Sequence, residues 1–337
     1  MNVATTDPVA APRRITLLGA AGTVGRWYRS HLTGAGDTVT TADLAPGTDH
    51  DEDVRTPSQD LRSAVACADE VVLALPEEVA AACLPWLAES ARPEAVIVST
   101  CSVQLPLFDA ASELGVRPRL RGVNPMFSPT LPAAGQSVVV ITPEPASGTD
   151  PHVGRMSARL GAGGMTVTVM GPADHDAAMS VLQALPHAAI LSFVDAFLSA
   201  PVDVPTLMRI APPPARTLVA LACRILAAPP EIYWDIQRVN AESGARRKDL
   251  MSSLQRLGTL VDADRAADFH AALASAAEQL GPYAAEGAQE CQELFELVQR
   301  RRTTRQTCAD TSRAAGPRDR CTRPFPTEDQ PGDRRCP

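Results

Sequence analysis

Apolar and polar positions follow two different rhythms along the chain. From Ile15 to Ile141, short apolar runs rich in β-branched residues alternate with stretches compatible with helix. The runs are Ile15–Leu18, Thr38–Ala42, Glu70–Leu75, Ala95–Ser99 and Ser137–Ile141. Several are apolar almost throughout, as strands covered on both faces of a parallel sheet must be. A further helix over His152–Leu160 and a strand over Thr166–Met170 finish the set. Strand, helix, strand repeated in this way predicts a doubly wound α/β domain over residues 14–172. After Gly171-Pro172 the rhythm changes. Asp174 to Gln299 is rich in Ala, Leu and Glu, with apolar residues at helical spacing and no convincing strand. Prolines at 201, 205, 212–214, 229–230 and 282 divide it into several helices. The expected fold class is therefore α/β plus all-α, with a helical domain over 173–299. An apolar helical block of this kind suits a dimer interface, so a homodimer is expected. From Arg300 the chain turns polar, and 300–337 reads as a disordered tail.

Length and composition narrow the classes. A chain of 337 residues, 45% apolar and 21% charged, suits two ordinary soluble domains. A net charge of −8, with no basic stripe through residue 298, argues against nucleic acid as a partner. No apolar run reads as long enough to span a bilayer, which argues against a membrane partner. Arg13-Arg14 ahead of an apolar stretch imitates a signal peptide, but the stretch is short and runs into glycines, as a first strand does. None of the eight cysteines forms a CxxC pair. The first five lie in apolar segments, where a cysteine is usually a small buried hydrophobe, and a reducing cytoplasm fits best. The remaining three, Cys308, Cys321 and Cys336, are too irregularly spaced for a metal knuckle. The six histidines show no HxxxH or HExxH spacing, so no metal site is expected.

Gly19-Ala-Ala-Gly22-Thr23-Val24-Gly25 follows the first predicted strand and opens a helix at Arg26. Gly19 permits a tight turn, Gly22 lets backbone approach a pyrophosphate, and Gly25 allows the helix to pack close to the sheet. Phosphates would sit on free N–H groups at the helix N-terminus. The first spacing is GxxG where the usual fingerprint is GxG. Asp43 ends the second run, where an acid would accept hydrogen bonds from the adenine ribose. The next residue is Leu44 rather than a basic one, so NAD is favoured over NADP. Leu75 and Pro76 end the run from Glu70, at the sheet's carboxyl edge, where the cofactor would lie. These features together predict a Rossmann-type dehydrogenase domain.

Later segments carry a resemblance. Gly122-Val-Asn-Pro-Met-Phe-Ser-Pro129 followed by Gly135-Gln-Ser-Val-Val resembles the HPMFGP motif and following strand of prephenate dehydrogenases. Asp174-His-Asp176 resembles that family's start of the helical domain, and Leu185-Pro-His187 its LPH turn within a long helix. Ala215-Arg216-Thr217 and Pro230-Glu-Ile-Tyr-Trp-Asp235 with Asn240 resemble its later segments. The resemblance covers residues 14 to 298 in the same order. It implies enzymes that pass hydride from C4 of a cyclohexadiene ring to NAD and expel the C1 carboxylate as CO2. It further implies that Arg216 binds substrate carboxylate, a task its planar fork suits. His187 would line the pocket, and Ser102 corresponds to the family's active-site serine, although Cys-Ser-Val-Gln departs from the usual Ser-Val-Lys.

Asn124 is the informative departure. In the family this position is the histidine that takes the proton from the 4-hydroxyl as hydride leaves. An asparagine accepts a hydrogen bond through its carbonyl but cannot take a proton. Three explanations compete. The substrate could carry an amine at C4, as 4-amino-4-deoxyprephenate does. Hydride loss would then give an iminium that needs no base beside it, and Asn124 would accept the N–H. Alternatively, an ordinary prephenate or arogenate dehydrogenase keeps its base elsewhere, with Glu78 the nearest candidate. Glu78 also reads as a solvent-facing acid at a helix start. Lastly, the chain could be a dinucleotide-binding dimer that catalyses nothing, against which Arg216 and His187 argue. The amine substrate is favoured.

Overall fold

A computed structural model describes residues 12–143 and 150–314, with side chains through 301. Its residues group into two compact units, one running to Ala200 and including Leu221–Ala263, the other made of Pro201–Ala220 and the chain from Asp264.

The first unit is built on an eight-stranded sheet. Its strands are β1 (Arg14–Leu18), β2 (Thr38–Asp43), β3 (His50–Asp51), β4 (Glu70–Leu73), β5 (Val96–Ser99), β6 (Leu120–Pro125), β7 (Ser137–Ile141) and β8 (Thr166–Met170). They lie in the order β3-β2-β1-β4-β5-β6-β7-β8. The strands from β3 to β6 are parallel, whereas β7 runs antiparallel to β6 and carries β8 parallel to itself. The sheet is thus doubly wound with a reversed edge, where the apolar pattern predicted parallel strands throughout. Strand β6 escapes that pattern because Arg121, Gly122, Asn124 and Pro125 are poor strand formers or break the alternation. Position overrides propensity here: β6 lies between β5 and β7, and Leu120, Arg121, Val123 and Asn124 are all buried.

Helices α1 (Thr23–Gly34), α2 (Gln59–Cys67), α3 (Glu77–Ser90), α4 (Leu105–Glu113) and α5 (Pro151–Ala162) join the strands. One face of the sheet packs Leu73, Ile97, Leu120 and Ile141 against Leu61, Leu84 and Phe108. The other packs Ile15, Leu17, Val72 and Val98 against Tyr28, Leu32 and Leu160. Two-sided burial is why the strands read as continuous apolar runs. Of the described cysteines, Cys83 and Cys101 are buried, and burial pushes their thiols up to about 11 and about 12. Cys67 and Cys223 are exposed, against the expectation for them, because each lies on the outer face of its helix.

Past the sheet come α6 (Pro172–Met179), a π-helical turn (Ser180–Ala184) and α7 (Leu185–Leu198), then α8 (Val204–Ile210), α9 (Pro213–Leu226), α10 (Pro230–Arg238), α11 (Ser243–Asp262), α12 (Ala266–Leu280) and α13 (Pro282–Ala314). Pro172, Pro213, Pro230 and Pro282 begin helices, the position that tolerates a missing N–H. Pro186 does not interrupt its helix, because the widened π turn just before it takes up the missing bond and the ring. Pro172–Leu198 is consequently one run that is long and apolar enough to cross a membrane by length and composition, with a mean hydropathy of 1.6 over an 18-residue stretch within it. That corrects the expectation that no run reaches such a length; the prolines and the paired polar residues concealed its continuity. Helix α13 continues beyond Arg300, where the polar composition suggested disorder. A polar composition does not exclude a helix, since Arg, Gln and Ala are good helix formers. Residues 315–337 of the expected tail, with Cys321 and Cys336, lie outside the described residues, as does the side chain of Cys308.

Candidate active site

At the carboxyl end of β1, Gly19 adopts φ +84, and a Cβ there would sit 2.1 Å from the Ala74 carbonyl oxygen. A Cβ on Gly25 would sit 2.0 Å from the Gly19 oxygen, so the first turn of α1 closes directly onto the loop. Gly22 meets nothing nearer than 3.4 Å, which leaves its outer side open. Helix α1 begins at Thr23, ahead of the expected Arg26, because the Arg26 N–H already donates to the Gly22 carbonyl at 2.9 Å. Its N-cap Gly22 makes no side-chain cap, so helix geometry leaves the N–H groups of Thr23, Val24 and Gly25 pointing out of the turn. This cradle, open where a Cβ would fill it, fits a pyrophosphate. Asp43 ends β2 and is engaged by the loop itself: one oxygen accepts from Ala21 N and the other from Ala45 N, both at 2.9 Å. Each oxygen keeps a second lone pair for a ligand hydroxyl. Leu75 and Pro76 come just after β4; Leu75 lies beside Gly19, and Pro76 is the N-cap of α3.

Asn124 sits at the carboxyl end of β6, 4% exposed. Its Nδ2 lies 2.9 Å from His175 Nε2 and 3.5 Å from Met179 Sδ, both on α6. His175, wholly buried, places Nδ1 2.7 Å from Asp176 Oδ1. The Asp176 carboxylate in turn accepts from Gln104 N at 2.9 Å and Leu105 N at 2.8 Å. It thereby caps α4, whose own N-cap Gln104 makes no side-chain cap. Asn240 donates to the Asp176 main-chain carbonyl at 2.7 Å, tying the α10–α11 turn to α6. Gly122 is required here, since a Cβ would lie 2.8 Å from Gln104 Oε1 and 2.9 Å from Ile141. Gly122 and Asn124 of one motif and His175 and Asp176 of the other, read separately in the sequence, therefore meet in one buried network.

Ser102 lies in the loop between β5 and α4, which this network clamps at one end. At the other, Ser102 N donates to Glu77 Oε1 at 3.1 Å. Burial, with Asp235 adding to it, raises the Glu77 carboxyl above its ordinary value. The neighbouring Glu78 points to solvent and pairs with Arg238. Glu77, rather than Glu78, is the acid turned toward this edge; in a Glu-Glu pair only the helix phase tells which one faces inward.

His187 lies on α7 with its ring edge-on to Tyr233, centroids 5.0 Å apart at 87°. Its Nδ1 is sealed from solvent without a partner among the described residues, and burial, then Arg224, lowers its pKa. Beside it a cavity of about 1040 Å³ is lined by Ala188, Leu191, Tyr233, Trp234, Gln237 and Arg247. Arg216 belongs to the second unit, where it donates to the carbonyls of Ala211 at 3.1 Å and of Met208. The structure thus joins Asn124 to the Ser102 loop and places His187 in the same unit. The sequence reading did not single out His175, Asp176, Gln104 or Glu77 as site residues. For the first two the signal was present, as consecutive His and Asp opening an apolar helix. No cluster of His, Cys, Asp and Glu among the described residues could hold a metal.

Comparison with known proteins adds an independent line. Residues 171–275 match the family model described as prephenate dehydrogenase, dimerization domain. The chain is 35% identical over 289 residues to the 4-amino-4-deoxyprephenate dehydrogenase of Streptomyces pristinaespiralis, an alignment covering 84% of this chain and 96% of that protein. Among solved structures, the prephenate dehydrogenase of A. aeolicus in complex with hydroxyphenyl propionate and NAD+ shares the fold, with a TM-score of 0.60 at 20% identity, covering 84% of this chain and 98% of the other. The arogenate dehydrogenase of Synechocystis does so with a TM-score of 0.61 at 17% identity, covering 80% and 99%.

Proposed function

We propose, for a chain that belongs to the prephenate dehydrogenase family, that it oxidatively decarboxylates 4-amino-4-deoxyprephenate with NAD, giving 4-aminophenylpyruvate, CO2 and NADH. The observation that carries this reading is Asn124: a side chain that cannot take a proton, buried where the family resemblance places the catalytic base. The 35% identical relative bears the name of this activity.

Bound NAD would supply the acceptor for the hydride leaving C4. Gly19, Gly22 and Gly25, with the N–H groups of Thr23 and Val24, would hold its pyrophosphate, and Asp43 its adenosine ribose. Leu75 and Pro76 would line the path between. Arg216 would bind substrate carboxylate and the uncharged His187 ring would line the pocket. Asn124 and Ser102 would hold the 4-substituent. The C4–H electron pair leaves with the hydride, and the pair of the breaking C1–carboxylate bond enters the ring, which becomes aromatic. With the amine entering as the neutral base, no net proton is released in that balance. Aromatisation drives the reaction, so the protein has chiefly to orient two reactants.

We further divide the chain at Gly171-Pro172 into domains of 14–172 and 173–299, a division supported by the family match beginning at residue 171. The match to a dimerization domain and the exposure of Trp234, Met251 and Leu254 support a homodimer formed through the helices. Buried free thiols support a reducing, cytoplasmic setting and a place in specialised aromatic amino acid or antibiotic biosynthesis follows from the substrate. Glu77 supports a second reading: a carboxyl raised by burial beside Ser102 could serve an ordinary prephenate or arogenate dehydrogenase as its base.

Absorbance at 340 nm separates the two. Purified protein with NAD is offered prephenate, arogenate and 4-amino-4-deoxyprephenate in turn. Reduction with the amino compound alone is expected. Equal turnover of prephenate would hand the function to the tyrosine pathway.

A further inference from the structure

We propose that His175 is a positioning residue that sets which way round the Asn124 amide lies, and that the set orientation turns a hydrogen-bond acceptor toward the substrate. The inference rests on the reading that the C4 substituent meets Asn124, and it explains how an asparagine there selects an amine.

Both carboxylate oxygens of Asp176 take main-chain N–H groups, from Gln104 and Leu105, so this side chain acts as an acceptor. His175 Nδ1, 2.7 Å from Asp176 Oδ1, is then the donor of the pair. A neutral imidazole with its proton on Nδ1 presents a bare lone pair at Nε2. The Asn124 atom facing that lone pair at 2.9 Å has to be a donor, which only the amide nitrogen is. Its other hydrogen faces Met179 Sδ at 3.5 Å, a weak acceptor. Both N–H bonds are thereby committed to the buried α6 side, among residues no more than 2% exposed. The Asn124 carbonyl oxygen is left for a ligand.

A fixed carbonyl suits an amine at C4. As hydride leaves, positive charge grows on nitrogen and its N–H becomes a stronger donor, so the bond to Asn124 Oδ1 strengthens toward the transition state. A hydroxyl can donate to the same oxygen, but the protonated ketone it becomes must still lose its proton, and an amide cannot receive it. With the amide reversed, the NH2 group would meet the substrate amine donor to donor. The long relay through His175 and Asp176 prevents that reversal, as the main-chain N–H groups of Gln104 and Leu105 hold the Asp176 carboxylate in place.

The test begins with wild-type protein carrying 15N-labelled histidine. The His175 signals are assigned by their loss in His175→Gln. At neutral pH, free and with NADH, the expected result is a proton on Nδ1 and an unprotonated Nε2. A proton on Nε2, alone or together with Nδ1, overturns the proposal. In Asn124→Asp the carboxylate has no hydrogen to offer Nε2, so His175 is expected to shift to the doubly protonated form; an unchanged tautomer counts against the relay. In His175→Gln the new amide can face Asn124 either way round, which releases the orientation. The expected loss is about tenfold in kcat for the amino compound with NADH affinity retained. Unchanged kcat would remove His175 from the positioning role. Should wild-type protein turn over no amino compound, the proposed function fails, while the tautomer measurement still decides the orientation.

Discussion

Leu17, Leu73, Ile97 and Val140 in the sheet are wholly buried, whereas Trp234, Met251 and Leu254 on α10 and α11 are 64%, 62% and 68% exposed. Both regions carry large apolar side chains, and they finish their packing differently. The sheet is covered on both faces by helices of its own chain. The later helices leave large side chains uncovered, more than the scattered apolar residues that any surface carries. The lesson is that apolar side chains alone do not tell a filled core from an uncovered face. A segment such as Pro172–Leu198 passes a length-and-composition test for a membrane, although its matched family region is a dimerization domain.

Three measurements would break or sharpen this contrast. The largest effect is expected from Phe108→Ala, which empties a wholly buried site between α4 and the sheet. Chemical denaturation should show a loss of about 3–5 kcal/mol, the same at every protein concentration. Leu254→Asp comes next. At so exposed a position the change within one chain should stay inside about 0.5 kcal/mol. If a second copy covers that face, sedimentation should show the mass halved, with Tm no longer rising with concentration. Retention of wild-type mass and Tm would dissolve the distinction between the two regions.

The smallest effect is that of Glu77→Gln. Burial raises the folded-state pKa of this carboxyl, so the folded protein binds its proton more tightly than the unfolded chain does. Its contribution is favourable below the ordinary value of 4.5 and is lost as pH rises through the raised folded value. Glu77→Gln should therefore raise Tm at neutral pH and leave it unchanged in acid. A variant that is stabilised equally at both would place the strain elsewhere than in ionisation.

Much of the fold was legible because β1, β4 and β5 are short apolar runs and β2 is rich in β-branched residues, between glycines, polar turns and helix-compatible stretches; the two-residue β3, His50–Asp51, carries no apolar pattern and was not legible. The glycine loop was legible too: Gly19 and Gly25 occupy places where a Cβ would overlap main-chain atoms. Strand β6 was not, since Arg, Gly, Asn and Pro within it obey neighbours instead of local preference. The candidate site was readable in its parts. Asn124 stood out against the family pattern, yet its partner His175 is 51 residues away, and Asp176 is 72 residues from Gln104. No periodicity reports a bond across such separations. Glu77 and Glu78 differ only in the direction they face, which depends on how α3 is rotated against β5.

That long separation also orders events during folding. In a chain made from its N-terminus, β1 to β5 and α1 to α3 can pair as they emerge. The loop before α4 cannot reach its final form then, because the carboxylate that caps it belongs to Asp176, and closing so distant a contact is slow. The loop Gly19–Gly25 takes its nearest contacts from Gly19, Ala20, Ala42, Asp43, Ala74 and Leu75, all within the first quarter of the chain. The network around Asn124 waits for α6 to dock. On that order the cofactor loop takes its shape before the proposed substrate wall exists.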